Sequence, residues 1–91
     1  MTEQAYWLFA FDSPHAAIAA QKLLAECGAV VMPTLRCITA SCGMSLRLTD
    51  ARIEEAKKIM RGSVIDPALY RLYRVERVDG EMRCMEHPIS E

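Results

Sequence analysis

Tyr6-Trp7-Leu8-Phe9-Ala10-Phe11-Asp12-Ser13-Pro14 joins an unbroken aromatic and apolar run to three residues that end it. A strand that is apolar at both odd and even positions is buried on both faces, so this one is expected at the centre of its sheet. Ser13 can cap a helix with its hydroxyl, and Pro14 suits the first helical position, where its missing N–H costs nothing. A helix is therefore expected to begin at about Pro14.

In that helix Ala16, Ala20, Leu23, Leu24 and Cys27 recur at helical spacing, and Gly28 follows as a stop. Ala29 to Met32 reads as a short second strand ended by Pro33. Beyond the polar stretch Pro33 to Ser41, Leu46 and Leu48 alternate with Ser45, Arg47 and Thr49, the pattern of a half-buried strand. Asp50 can cap a second helix with Ile53, Ala56, Ile59 and Met60 inward and Gly62 as its stop. Ala68 to Val78 reads as a long strand, in which the alternation slips near Leu72-Tyr73 and hints at a bulge. Asp79-Gly80 favours a two-residue hairpin turn, so Glu81 to Glu86 can return as an added edge strand. His87 to Glu91 reads as a loose tail.

This order predicts an α+β fold, the ferredoxin-like βαββαβ arrangement, with one antiparallel sheet and both helices on one face. The first and third strands should lie side by side at the centre, with the second and fourth outside them. The other face then lacks a helix. Either a homodimer or partner contact covers it, or the C-terminal tail does.

Ninety-one residues bound the chain to one domain, 1–91, with 75–91 as a C-terminal hairpin and tail extension. Such a domain is too small for an elaborate internal active site, so chemistry is expected at an edge or on a loop. The net charge of -1 and arginines scattered among carboxylates disfavour nucleic-acid binding. The start has no positive n-region, and Ala5 to Phe11 is too short for a signal core or a membrane span, so a cytoplasmic protein is expected. In that setting the four cysteines read as free thiols, metal ligands or redox groups rather than structural disulfides. No CxxC pair occurs, so the zinc signal is weak and no metal is expected.

Cys42 stands out, because it precedes Gly43 at the end of a polar loop, where a thiol is better placed to react than to fill a core. The chain should leave its first strand at the same end of the sheet where the second turns into the third. Cys42 then neighbours the start of the first helix, whose amide groups favour an anion and whose first turn carries His15. A thiolate there has a stabilising dipole, an imidazole to shuttle protons, and the guanidiniums of Arg36 or Arg47 for binding. His15 also fits a plain helix start, and both arginines fit solvated positions. Cys37 can resolve an oxidised Cys42 by forming a disulfide, or can be an ordinary exposed thiol. Cys27 reads as core, and Cys84 as structural or incidental.

Tyr6 to Phe11, Ser13, His15, Ala16, Lys22-Leu23-Leu24, Gly28, Pro33-Thr34, Arg36, Cys42-Gly43 and Leu46-Arg47 together resemble the small selenium/sulfur carrier protein-like family. The resemblance runs from about Tyr6 to Tyr73, and its most specific part is Pro33 through Gly43 with the His15 helix start. It implies a carrier or accessory protein rather than a stand-alone enzyme. Cys42 would hold a persulfide or selenopersulfide, taken from a cysteine desulfurase or similar donor and passed to a protein acceptor. The chain departs from the family at Leu35, where a second proline is common, and at Cys37, where an acidic residue is common. Two alternatives stand beside the carrier: a dithiol/disulfide redox module using Cys37 and Cys42, and a non-catalytic interaction subunit. Acyl phosphate hydrolysis fits poorly, because no glycine-rich anion loop follows the first strand.

Overall fold

The computed structural model describes residues 5–38 and 43–88. The run that opens the fold forms β1, Ala5–Phe11, and Ser13 caps α1, Pro14–Leu23, by accepting a hydrogen bond from the Ala16 amide at 3.3 Å. Then come β2 (Val30–Pro33), β3 (Met44–Leu48), α2 (Ile53–Arg61), β4 (Tyr70–Val78) and β5 (Glu81–His87). The strands make one antiparallel sheet in the order β2-β3-β1-β4-β5. β1 is central as expected, with β3 and β4 as its neighbours and β2 outside β3. The turn that adds β5 is Asp79-Gly80, with φ of 53° and 82°, the left-handed pair that suits a two-residue hairpin.

The helices share one face of the sheet. Phe9, Phe11, Leu46, Leu48 and Leu72 pack there against Ala16, Ala17, Ala20 and Leu24 of the first helical segment and Ile53, Ala56 and Met60 of α2. Three alanines on the inner side of α1 let its backbone sit close to the strands. Leu23, expected inward, is instead 41 % exposed. α1 ends at that residue and tightens into a 3₁₀ turn over Ala25–Cys27, and the change of pitch carries Leu24 and Cys27 inward.

Three further expectations are corrected. Asp50 does not cap α2, whose N-cap is Arg52 with no side-chain hydrogen bond. Its carboxylate instead accepts from Trp7 Nε1 at 2.8 Å and pairs with the Arg74 guanidinium, which also lies over the Trp7 ring at 5.0 Å. The long strand begins at Tyr70 rather than Ala68, because Pro67–Leu69 forms a 3₁₀ turn capped by Asp66. It has no bulge against β1, since the register runs unbroken from Phe11↔Tyr70 to Ala5↔Glu76. Leu72 and Tyr73 point to opposite faces and both are buried, which is why the alternation looked disturbed.

Among the described residues, the second face is covered by the connection between β2 and β3. Tyr6, Leu8, Ala10, Tyr73 and Val75 are buried there, with Ile38 from the connection between β2 and β3 laid over them and Leu35 packed at the side. The connection is bonded to the sheet by a disulfide from Cys37 to Cys84 on β5. The homodimer expected through this face therefore loses the exposed apolar surface that motivated it.

Asp50 carries a pH prediction. The hydrogen bond from Arg74, then that from Trp7, hold its carboxyl below the usual carboxylate range. A depressed folded-state pKa stabilises above the unfolded value, near 4, and that contribution is lost as pH falls through the folded one. The effect is modest, because 66 % of the side chain is exposed. Urea midpoints at pH 7 and pH 3 should differ less for Asp50→Asn than for the wild type, after allowing for an offset at neutral pH.

Candidate functional site

The register brings one end of the sheet together. Ala10, near the end of β1, lies opposite Ser45 on one side and Arg71 on the other. β1 therefore runs into the α1 cap at the end where β3 begins, and Gly43 immediately precedes β3. The base of the loop is closed there by the Thr34 amide, which donates to the Gly43 carbonyl at 3.1 Å. The hydroxyls of Thr34 and Ser45 are 2.8 Å apart, and Ser45 is wholly buried. Next to them Arg71 donates to both carboxylate oxygens of Asp12, at 3.2 and 3.0 Å. The hydrogen bond and charge of Asp12 raise the Arg71 pKa further, so this guanidinium stays charged beside the helix start.

Cys42 itself lies outside the described residues. His15 is exposed in the first turn of α1 and lines an apolar groove of about 390 Å³ with Ile18, Ala19, Lys22, Leu23, Val64 and Ile65. Its imidazole thus stands where the helix start meets a hydrophobic surface, with Val64 fully exposed. Arg36 is exposed in the turn closed by the Ile38 amide on the Leu35 carbonyl at 3.0 Å. Arg47 stands two positions beyond Ser45 along β3, and its guanidinium lies 4.9 Å over the Tyr6 ring. That stacking occupies Arg47 on the covered sheet face rather than directing it to the loop base.

The cysteines divide differently from expectation. Cys37 is bonded to Cys84, with Cα atoms 6.0 Å apart. Cys84 faces Val75, and Val75 faces Tyr6, so the bond sits four positions back along β1 from Ala10. Cys37, read as a resolving thiol for Cys42, has its partner elsewhere. Cys27 is buried and free, and burial pushes its thiol pKa up, so it stays neutral in the core as expected.

Arg71, Asp12 and the Thr34–Ser45 pair were not singled out from sequence. Asp12 directly follows the first strand and Arg71 is the second residue of the fourth, so antiparallel pairing could have joined them. The apparent slip at Leu72-Tyr73 left the facing of that strand undecided. Cys84 gave no signal, because neither spacing nor periodicity points from a hairpin strand to a loop 47 residues earlier.

The family described as "Putative Se/S carrier protein-like" matches residues 6–71, which include the His15 helix start and the whole segment from Pro33 to Gly43. The chain belongs to this family. No curated protein and no solved structure is significantly similar to it. Membership in the Se/S carrier family covers β1 through the first residues of β4. Cys84 and all of β5 lie beyond the matched residues, so the disulfide joins a family segment to an extension of this chain. Among the described residues no three His, Cys, Asp or Glu side chains gather as a metal site, and no helix is long and apolar enough to cross a membrane.

The buried hydroxyl pair at the loop base supplies a test. Thr34→Val removes the hydrogen bond to a fully buried hydroxyl and should cost about 1–2 kcal/mol in a urea melt. Thr34→Val combined with Ser45→Ala should recover much of that loss, because the second change removes the buried hydroxyl as well.

Proposed function

We propose that the chain carries sulfur or selenium as a persulfide or selenopersulfide on Cys42, accepting it from a cysteine desulfurase or similar donor and delivering it to a protein acceptor. The observation that carries this reading is the family match across residues 6–71, which takes in Cys42-Gly43, Arg36 and His15 in one segment. The register supports it, because Gly43 stands at the sheet end where α1 starts. We read the strand order as the ferredoxin-like arrangement extended by β5, a rigid platform with its reactive thiol on a loop.

In the proposed step the Cys42 thiol gives its proton to His15, and the thiolate attacks the terminal sulfur of the donor persulfide. The donor's S–S bond breaks as the bond to Cys42 Sγ forms. The donor sulfur leaves with the electron pair and is reprotonated, so no net oxidation or reduction occurs. Arg36 is the remaining candidate for holding the anionic persulfide, since Arg47 is engaged by Tyr6. No cofactor takes part, and a cytoplasmic setting would supply the thiols that keep Cys42 reduced.

The redox module built on Cys37 and Cys42 loses support, because Cys37 is bonded to Cys84. An interaction subunit is the second reading. The exposed Ile18, Leu23 and Val64 around the His15 groove favour it. Cys42→Ser separates the two, since an interaction subunit keeps its function without that thiol.

Incubation with a cysteine desulfurase and cysteine, followed by mass spectrometry, is the direct test. One reductant-labile extra sulfur on the Cys42 peptide is expected, absent in Cys42→Ser. An unmodified Cys42, with the desulfurase active on another acceptor, rejects the carrier reading. His15→Ala should slow transfer by about tenfold.

A further inference from the structure

Beyond the carrier reading, and independent of it, we propose that Cys37 and Cys84 form a reducible dithiol/disulfide centre whose oxidised form straps residues 34–38 across the second face of the sheet.

Three observations carry this. The first is access. Cys37 is exposed and Cys84 only half-buried, so an attacking thiolate can reach the bond without the fold opening. The bond also sits on β5, whose outer edge pairs with no other strand among the described residues.

The second is separability. None of residues 34–38 belongs to the core between the sheet and the helices. That core keeps Phe9, Phe11, Leu46, Leu48 and Leu72 buried whatever the strap does, so the domain can stay folded when the bond is cut. The strap contributes to the other cluster alone, through Ile38 and Leu35. Among the described residues, what holds it besides the disulfide includes those two side chains, the Ile38–Leu35 backbone hydrogen bond and the Thr34 contacts at its base.

The third is consequence. Under the strap lie Tyr6, Leu8, Tyr73 and Val75, a contiguous apolar patch on the three strands β1, β4 and β5 together with Cys84. Releasing the strap removes the cover that Ile38 and Leu35 give it. The cysteine pair thus couples a two-electron change to exposure of a sheet face.

The reductant is a dithiol. One of its thiolates attacks Cys37 Sγ, the bond to Cys84 breaks, and Cys84 leaves with the electron pair and takes up a proton. The second thiolate of the reductant then attacks the reductant's own sulfur in the mixed disulfide. Cys37 is released and protonated. The protein gains two electrons and two protons, and the dithiol becomes a disulfide.

Dithiothreitol, set at graded ratios to its oxidised form and followed by alkylation and peptide mass spectrometry, tests the proposal on the full chain. Cys37 and Cys84 should become alkylated together while Cys27 stays protected and the circular dichroism is unchanged. Over the same ratios the Ile38 amide should exchange hydrogen about tenfold faster or more, and binding of an apolar dye should rise. Cys84→Val should show the fast exchange without reductant. If that variant does not fold, reduction of the wild type still decides. Alkylation of Cys37 and Cys84 only together with Cys27 would mean a staple of the whole fold and overturn the proposal. So would full alkylation without reductant, or reduction that leaves Ile38 exchange unchanged. None of these outcomes depends on whether Cys42 accepts sulfur.

Discussion

β1 is paired along both edges and buried on both faces, and the other elements take their positions from that constraint. Its backbone bonds to β3 on one side and β4 on the other, so four of its side chains, Leu8, Phe9, Ala10 and Phe11, are almost completely removed from water. Each face then needs its own cover. Two helices are supplied for the Phe9 and Phe11 side. Among the described residues no helix is left for the Leu8 and Ala10 side, which is covered by a loop fastened by the Cys37–Cys84 bond.

The same strand positions the candidate site. β1 ends at Phe11, and the chain turns within two residues into α1, so the helix N-terminus is pinned to one end of the sheet. Because β3 is antiparallel to β1, its beginning, and with it Gly43, is brought to that end too. The Asp12–Arg71 pair and the Thr34–Ser45 hydroxyls fill in the polar ground around it. Under the proposed carrier reading, a protein that hands a small group from one partner to another needs little beyond such an edge. A deep cavity would hinder the approach of a second macromolecule.

Much of the architecture was legible in the residues because local signals agreed with one another. The Ser13-Pro14 start, the Ile53/Ala56/Met60 stripe and the Asp79-Gly80 turn each point to one element and are confirmed by it. Errors fell where a tertiary partner outbid a local one. Asp50 sits where a cap belongs, yet a charged guanidinium and an indole N–H bind it more strongly than free helix amides do. Leu23 has the spacing of a core residue, but the helix tightens after it and leaves it outside. Of the candidate site, the sheet end and its helix start were legible, whereas the engagement of Arg47 by Tyr6 and of Cys37 by Cys84 was not. Those two contacts join residues 41 and 47 positions apart, and no periodicity within a strand or loop reports on them.

The amino-acid sequence alone determined the succession of strands and helices, the central strand, and the family, because each rests on short-range pattern: periodicity, capping and a run of residues from Pro33 to Gly43. Tertiary structure decided what covers the second face and which cysteines meet. The physical reason is that both depend on where a loop without periodicity comes to rest. That resting place is set by the apolar surface of a sheet assembled from distant segments.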